Sequence, residues 1–411
     1  MDLQPEVRTG LRRRLRFVGD GSGHRLQQRT DVARDRPYLH APGAGRRRRG
    51  AFRGDSRQRQ RLRPGGQRGC RIRLGLPDSA GQPRHEHRQG DAGPLTRGIR
   101  VLEAVPNFSE GRDAGFVEAV ADAFALAGCE VLHATMDPDH HRSVVTVIGP
   151  PRAVENGAVA AARLALDNID LREHQGVHPR VGALDVLPFV PLKGMRMRDA
   201  VEAAHRVGFR IAEIGVPVYF YAQASHPPGQ TLAALRRGGF EALGQAPGRD
   251  RAVADLPGRD SRGRVLYGWA HPAAGAVCVG AREVLLAWNV DIEGMDHEPA
   301  KRVAAELRET GGGFAGLRTL ALHLRSQDRL QIAMNLENPA ATDPGEVFRA
   351  IERKVSRLGG RVAGTEVIGM LPDALDTLRA ARSMRLRDWS EERILSRRVS
   401  AHVASRRRAP G

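Results

Sequence analysis

Two α+β halves of similar topology are what this 411-residue chain predicts, each a ferredoxin-like (βαββαβ) order of strand, helix, strand, strand, helix and strand. Two observations carry that expectation. Apolar runs of strand length alternate with longer stretches in which apolar residues recur every three to four positions. The same order of signals then returns after a polar, Gly- and Arg-rich segment, 247–264, that reads as a linker or long loop.

The elements follow in order. Residues 101–108 give the first strand signal. A helix is expected over 113–127, with Asp113 as N-cap, Phe116, Val120 and Phe124 on one face, and Gly128 as its stop. Strand signals follow at 130–136 and 143–148. Pro150 and Pro151 then open a helix whose stripe runs Val154, Ala158, Ala161, Ala165, Ile169. A polar loop leads into a strand at 184–190, a helix at 198–214 and a strand-like run at 216–222. In the second half, 277–292 contains a strand, 298–310 a helix, and 317–324 with 330–336 two strands. Val347, Ile351, Val355 and Leu358 mark a helix, and 362–370 the last strand. The halves are expected at 98–265 and 266–383, with a ligand site between them.

The net charge of +18 belongs to the flanks. Residues 1–97 hold 24 Arg against 9 acids, 384–411 hold 8 Arg against 3 acids, and the stretch between is close to neutral. A basic excess argues for nucleic acid or anionic membrane only on a folded surface. Residues 1–97 are rich in Arg, Gly, Gln and Pro without either period, and are expected to be disordered. With three Lys against 62 Arg in the whole chain, this extension reads as translated upstream sequence from a GC-rich gene whose start is set too early. It lacks the apolar stretch of a signal peptide and the amphipathic helix of a transit peptide. Residues 384–411 read as a basic tail. Cys70, Cys129 and Cys278 form neither a disulfide framework nor a paired metal motif, which suits a reducing cytoplasm. No apolar run approaches the roughly 20 residues needed to span a bilayer.

Four clusters carry chemistry-bearing residues. At 105–112, Asn107, Ser109 and Glu110 stand where a strand runs into a helix, as ligand contacts or as caps. At 137–142, Asp137, Asp139, two His and Arg142 share a tight turn. At 172–190, His174, His178, Arg172 and Arg180 precede an apolar strand, as a reactive loop does. His178 titrates near neutrality, and Pro179 fixes the backbone after it. His174 and His178 are four apart, but Gly176 and Pro179 break the helix that such a metal pair wants, so no metal is expected. The Gly/Ala-rich run 272–282 allows close approach to a planar ligand or simply tight packing.

Together, Val-Pro-Asn-Phe-Ser-Glu-Gly (105–111), Asp-His-His-Arg-Ser-Val (139–144), Val-Ile-Gly-Pro-Pro (147–151), His-Gln-Gly-Val-His-Pro-Arg-Val-Gly-Ala-Leu-Asp-Val (174–186), Val-Pro-Val-Tyr-Phe-Tyr (216–221), Val-Gly-Ala-Arg (279–282) and Trp288-Asn289 resemble the glutamate formimidoyltransferase family over roughly 100–375. The resemblance implies two ferredoxin-like subdomains, a homodimer, a folate tunnel and a cytoplasmic enzyme with tetrahydrofolate as co-substrate. It puts His178 on the family's catalytic histidine and Arg142 on its active-site arginine, with Asp137 or Asp139 in place of an acid found in the animal enzymes. Asn107, Asp139 and Arg180 become substrate contacts. The folate segment falls on Leu266, Tyr267, Gly268, Trp269, Ala270, His271, Pro272, Ala273, Ala274 and Gly275. Two departures stand out: His141 where the family often has Asn, and a divergent 267–271. The chain ends without the helical cyclodeaminase domain of the animal enzymes.

The implied reaction moves a formimidoyl group from N-formimidoylglutamate to N5 of tetrahydrofolate, which one histidine can serve as base and then acid. Arg142 and Arg180 are expected to fork onto substrate carboxylates. A formyltransferase acting between 5-formyltetrahydrofolate and glutamate, or a non-catalytic folate-binding protein, would share the motifs. An RNA-binding sheet is disfavoured by 4% aromatic residues and a neutral core.

Overall fold

A hairpin of β1 (Arg14–Asp20) and β2 (Gly23–Arg29) begins the chain described by the computed structural model, which covers residues 14–20, 23–29, 98–243 and 253–408. β2 pairs antiparallel with β5 (Glu130–Asp137) through His24 and Arg25. This stretch was expected to lack regular structure. The rest of 1–97 lies outside the described residues.

The strand signal at 101–108 resolves into β3 (Leu102–Ala104) and β4 (Asn107–Phe108). Pro106, which has no N–H to give, stands in the break. α1 (Ala114–Leu126) starts where Asp113 accepts the Phe116 N–H at 3.1 Å, a cap contributing about 1 kcal/mol. β5 turns into β6 (Arg142–Gly149), and Pro151 occupies the first turn of α2 (Pro151–Asn168). β7 (Leu184–Pro191), α3 (Met197–Ala212) and β8 (Val218–Ala222) complete the expected series. Short α4 (Leu232–Leu235), α5 (Gly239–Leu243) and a small ladder of β9 (Gly258–Arg259) with β10 (Val265–Tyr267) lead to β11 (Val277–Ala281).

β11 overturns the expected boundary at residue 265. It lies parallel between β7 and β8, so the first sheet runs β1-β2-β5-β6-β3-β7-β11-β8, with β4 pairing β6 and β7. The 277–292 signal therefore holds two strands in two sheets. Apolar side chains of α1, α2 and α3, among them Phe116, Val120, Phe124, Ala158, Val207 and Ile211, bury one face of this sheet.

The second sheet is four-stranded and antiparallel, in the order β13-β14-β12-β15, from β12 (Leu286–Glu293), α6 (His297–Leu307), β13 (Leu317–Leu324), β14 (Arg329–Leu336), α7 (Pro344–Arg357) and β15 (Arg361–Ile368). Trp288, Val290 and Ile292 alternate with Asn289 and Asp291, and only the apolar set packs with Val303, Val347 and Ile351 of the helices. The other face of the sheet carries the polar set, and it is buried: Asn289, Asp291, Gln331 and Glu366 are all under one-tenth exposed. His140 of the first half and Arg387, beyond β15, both bond to it.

The expected basic tail is instead folded. After α8 (Leu378–Ser383), α9 (Leu395–Arg408) sets Leu395 and Val403 against Val101, Leu132 and Ile148 of the first sheet. Arg398 and His402 reach Glu130, the latter at 2.8 Å. The apolar residues Leu395, Val399 and Val403 fall every fourth position, but the arginines between them hide the stripe in the sequence.

Candidate active site

Three of the four motif clusters interlock at one end of the first sheet. A side chain at Gly111 would meet the Asp137 carbonyl oxygen at 2.1 Å, and one at Gly176 would meet the His140 carbonyl at 2.4 Å. The glycines are there because the loops touch. Arg112 spans the same junction, donating to the carbonyls of Pro138 at 3.1 Å and Gln175 at 2.8 Å, while the Val177 N–H donates to Asp139 O at 3.0 Å.

Asp185 sits at the centre, fully buried. The β4–β7 register slips there, from Asn107 opposite Val186 to Phe108 opposite Leu184, so Asp185 is the extra residue of a bulge. It accepts the Val181 N–H at 2.8 Å, Arg142 Nη1 at 2.7 Å and Arg236 Nη2. Burial works against its charge, but the Arg236 and Arg142 guanidiniums and the Val181 N–H prevail and hold the carboxyl well below the usual range. Arg142 Nε and Nη2 donate to Asn107 Oδ1 at 3.2 and 2.9 Å, and Asn107 Nδ2 donates to Val105 O at 2.6 Å. Cys278 lies in this field with its thiol pushed up to about 12, mainly by burial, which makes it no nucleophile at neutral pH.

His178 faces this cluster. Its Nδ1 lies 2.8 Å from the Pro179 carbonyl, which only accepts, so Nδ1 carries the proton and Nε2 keeps its lone pair. Desolvation, reinforced by the charges of Arg142 and Arg236, lowers its pKa well below the ordinary value, so the ring is neutral at physiological pH. The His140 ring stacks on it at 5.8 Å between centroids and 28° between planes. On the far side of the turn, His141 and His174 stack at 4.3 Å, and burial pushes His174 down to about 4.

The second sheet closes the site through its polar face. Gln331 Oε1 meets His140 Nε2 at 3.0 Å, and Gln331 Nε2 donates to Asp291 Oδ1 at 3.0 Å. Asp291 is paired with Arg329 and Arg387. Glu366 accepts from Asn289 at 3.0 Å, and burial raises its pKa, helped by the charge of Asp291. Ser326, in the turn between β13 and β14, donates its N–H to Asp139 at 3.2 Å.

The family model described as "Formiminotransferase domain, N-terminal subdomain" matches residues 101–282, and that described as "Formiminotransferase domain" matches 287–392. The "Glutamate formimidoyltransferase" of Thermoplasma acidophilum is 34% identical over 304 residues, 73% of this chain and 98% of the relative. The chain belongs to the formiminotransferase family. The enzyme of the same name in Streptococcus pyogenes serotype M1 is 33% identical over 66% of this chain and 89% of that relative. "Formimidoyltransferase-cyclodeaminase" of Rattus norvegicus is 36% identical, and this chain spans 50% of its length. The first match runs through residue 265 without a break, and the two meet between β11 and β12, where the sheets divide.

Against this formiminotransferase frame, the predicted residues fall into three groups. His178, Arg142 and Asn107 come together around Asp185. Asp137 and Asp139 shape the turn: Asp137 Oδ1 accepts the His140 N–H at 2.7 Å, and Asp139 ties to Ser326. The expectation of free arginine forks is corrected for both arginines. Arg142 is spent on Asp185, which is buried and needs a partner, and on Asn107, while Arg180 folds onto the more exposed Glu241 at 2.9 Å. The segment 266–275 adjoins the His178 loop: the Ala183 N–H donates to Ala274 O at 2.9 Å, the Leu171 N–H to Ala273 O at 2.9 Å, and Gly182 bridges Gly275. Within it Tyr267 meets the His271 ring edge-on at 4.7 Å, His271 Nδ1 accepts from Ala273 and Ala274, and Trp269 O accepts from the Tyr219 hydroxyl. Leu266 is exposed. Asp185, Arg236, Gln331, Asp291 and Glu366 were not singled out from the sequence, and His140 only as one of the two histidines of the turn. Asp185 and Gln331 do leave a trace, as polar residues inside otherwise apolar strands.

Proposed function

We propose that this chain transfers the formimidoyl group from N-formimidoyl-L-glutamate to N5 of tetrahydrofolate, releasing L-glutamate. The observation that supports it most is the neutral His178, with Nδ1 engaged by Pro179 O and Nε2 free, beside two guanidiniums that share a single carboxylate. The names of the relatives point the same way.

Attack of N5 on the amidine carbon gives a tetrahedral adduct in which N5 must lose a proton and the departing glutamate nitrogen must gain one. His178 Nε2 takes the first and returns it as the second. A neutral ring in a site that keeps it neutral is ready for the first step, and positioned proton transfer contributes roughly 10²- to 10⁴-fold. The pair Arg142 and Arg236 carries one charge in excess of Asp185, which favours anionic substrate groups nearby, through field rather than through a free fork. Residues 266–275, stitched to the His178 loop, are read as the folate wall. The reaction calls for no metal, as the leaving group needs only a proton. The reading brings with it tetrahydrofolate as co-substrate, a cytoplasmic setting and a homodimer; among the described residues no helix is long and apolar enough to cross a membrane.

The deciding experiment is a turnover assay with both one-carbon donors. Formation of 5-formimidoyltetrahydrofolate from formimidoylglutamate is the expected result. Transfer only between 5-formyltetrahydrofolate and glutamate would replace this reading with the formyl one, and folate binding without any transfer would replace it with a binding protein.

A further inference from the structure

We propose that Gln331 and His140 are positioning residues for proton transfer at His178, so that the second half of the chain orients the base carried by the first. The inference rests on the transferase reading above.

The argument begins with the direction of one amide. Asp291 Oδ2 accepts from the guanidiniums of both Arg329 and Arg387, and a carboxylate paired in this way only accepts hydrogen bonds. Gln331 therefore turns its NH2 toward Asp291, at 3.0 Å, and its second amide contact, Glu366 Oε1 at 3.4 Å, lies on the same side. Its oxygen is left facing His140 Nε2 at 3.0 Å. Since that oxygen can only accept, His140 must carry its proton on Nε2. Flipping the amide would set oxygen against carboxylate, and a buried amide has few other places to turn.

His140 is thus fixed at two points, by Gln331 at the ring and by Asp137 at the backbone N–H. Its face is the one on which His178 lies. His178 in turn is held at Nδ1 by its neighbour's carbonyl. One contact sets the rotation of the His178 ring and the other its tilt, which together aim Nε2. An amide at 331 serves this better than a carboxylate. A carboxylate there would be a third acid beside Asp291 and Glu366, with no N–H to give to either.

The test is a kinetic cycle together with NMR. Gln331→Leu and His140→Ala are each expected to lower kcat by about 10- to 100-fold, the scale of a misaimed reacting group, with both KM values within about twofold of wild type. If Gln331 acts through His140, the double variant falls no further than either single one. His140→Asn can still donate to Gln331 and cannot titrate, and it is expected to recover most of the loss. Losses that multiply in the double variant, or a fall in melting temperature with kcat unchanged, would overturn the proposal. Ring 15N spectra of the wild-type protein give a reading independent of turnover and of whether Gln331→Leu folds. They should find the proton on Nε2 of His140 and on Nδ1 of His178, and the opposite tautomer at His140 would also overturn it. A wild-type protein that fails to transfer the group removes the function reading while leaving the tautomers to be judged.

Discussion

At the scale of single residues, His178 and Glu103 are the two groups whose surroundings change their chemistry most usefully. His178→Ala should lower kcat by roughly 10²- to 10⁴-fold while folate still binds, since the ring moves protons and the walls remain; isothermal titration with 5-formyltetrahydrofolate checks the second half of that statement. Because His178 is held neutral, the acid limb of kcat/KM should lie below the pH at which free imidazole titrates. Glu103, on β3, is raised to about 7 by burial, against the opposing charge of Arg282. Folded, it keeps its proton between pH 4.5 and about 7, while the unfolded chain has already lost it. Stability contributed at this position is therefore whole below pH 4.5 and is lost as pH rises to about 7. The loss is at most about 3 kcal/mol. Glu103→Gln should flatten that part of the curve when urea melts of the two proteins are compared, and parallel curves would mean the carboxyl is solvated. His178 was legible in the sequence because a histidine between glycines and a proline, ahead of an apolar strand, has few structural reasons to be there. Asp185 was not, because its meaning comes from Arg142 and Arg236, 43 and 51 residues away.

Among the elements, those with a local cause were readable and those with a distant one were not. Asp113 caps α1 and Asp343 caps α7, and both helices begin at the residue after their cap. β11 reads as a strand from its composition, but nothing in Val-Cys-Val-Gly-Ala says that it joins β7 and β8 instead of β12, which only pairing decides. α9 was missed because five of its fourteen residues are arginine. Removing residues 395–411 would uncover Val101, Leu132 and Ile148 and lose the burial of Leu395 and Val403. A loss of about 3–5 kcal/mol is expected from two such side chains, visible as a lower urea midpoint; an unchanged midpoint would make α9 an ornament. The bulge at Asp185 has its own prediction. Asp185→Asn leaves two buried guanidiniums without a counter-charge and should cost about 3–5 kcal/mol, measured in the same way.

For the whole molecule, the buried polar face of the second sheet meets the 137–142 turn of the first half, and the proposed site draws on both. The first half supplies His178, Arg142 and Asp185; the second supplies Gln331 and the acids behind it. The turn at 137–142 is bonded to residues 187 and 191 positions further along the chain, Ser326 to Asp139 and Gln331 to His140. Contacts of that sequence separation form late, since the intervening chain must be ordered first. On the ribosome, His178, the proposed base, is made and its sheet can pair long before β14 is translated. A nascent chain that ends short of residue 331 holds every motif by which the family is recognised in its first half, yet has no group to fix His140. Under the proposal above, such a chain would lack the contact that aims its base and should turn over more slowly than the finished one.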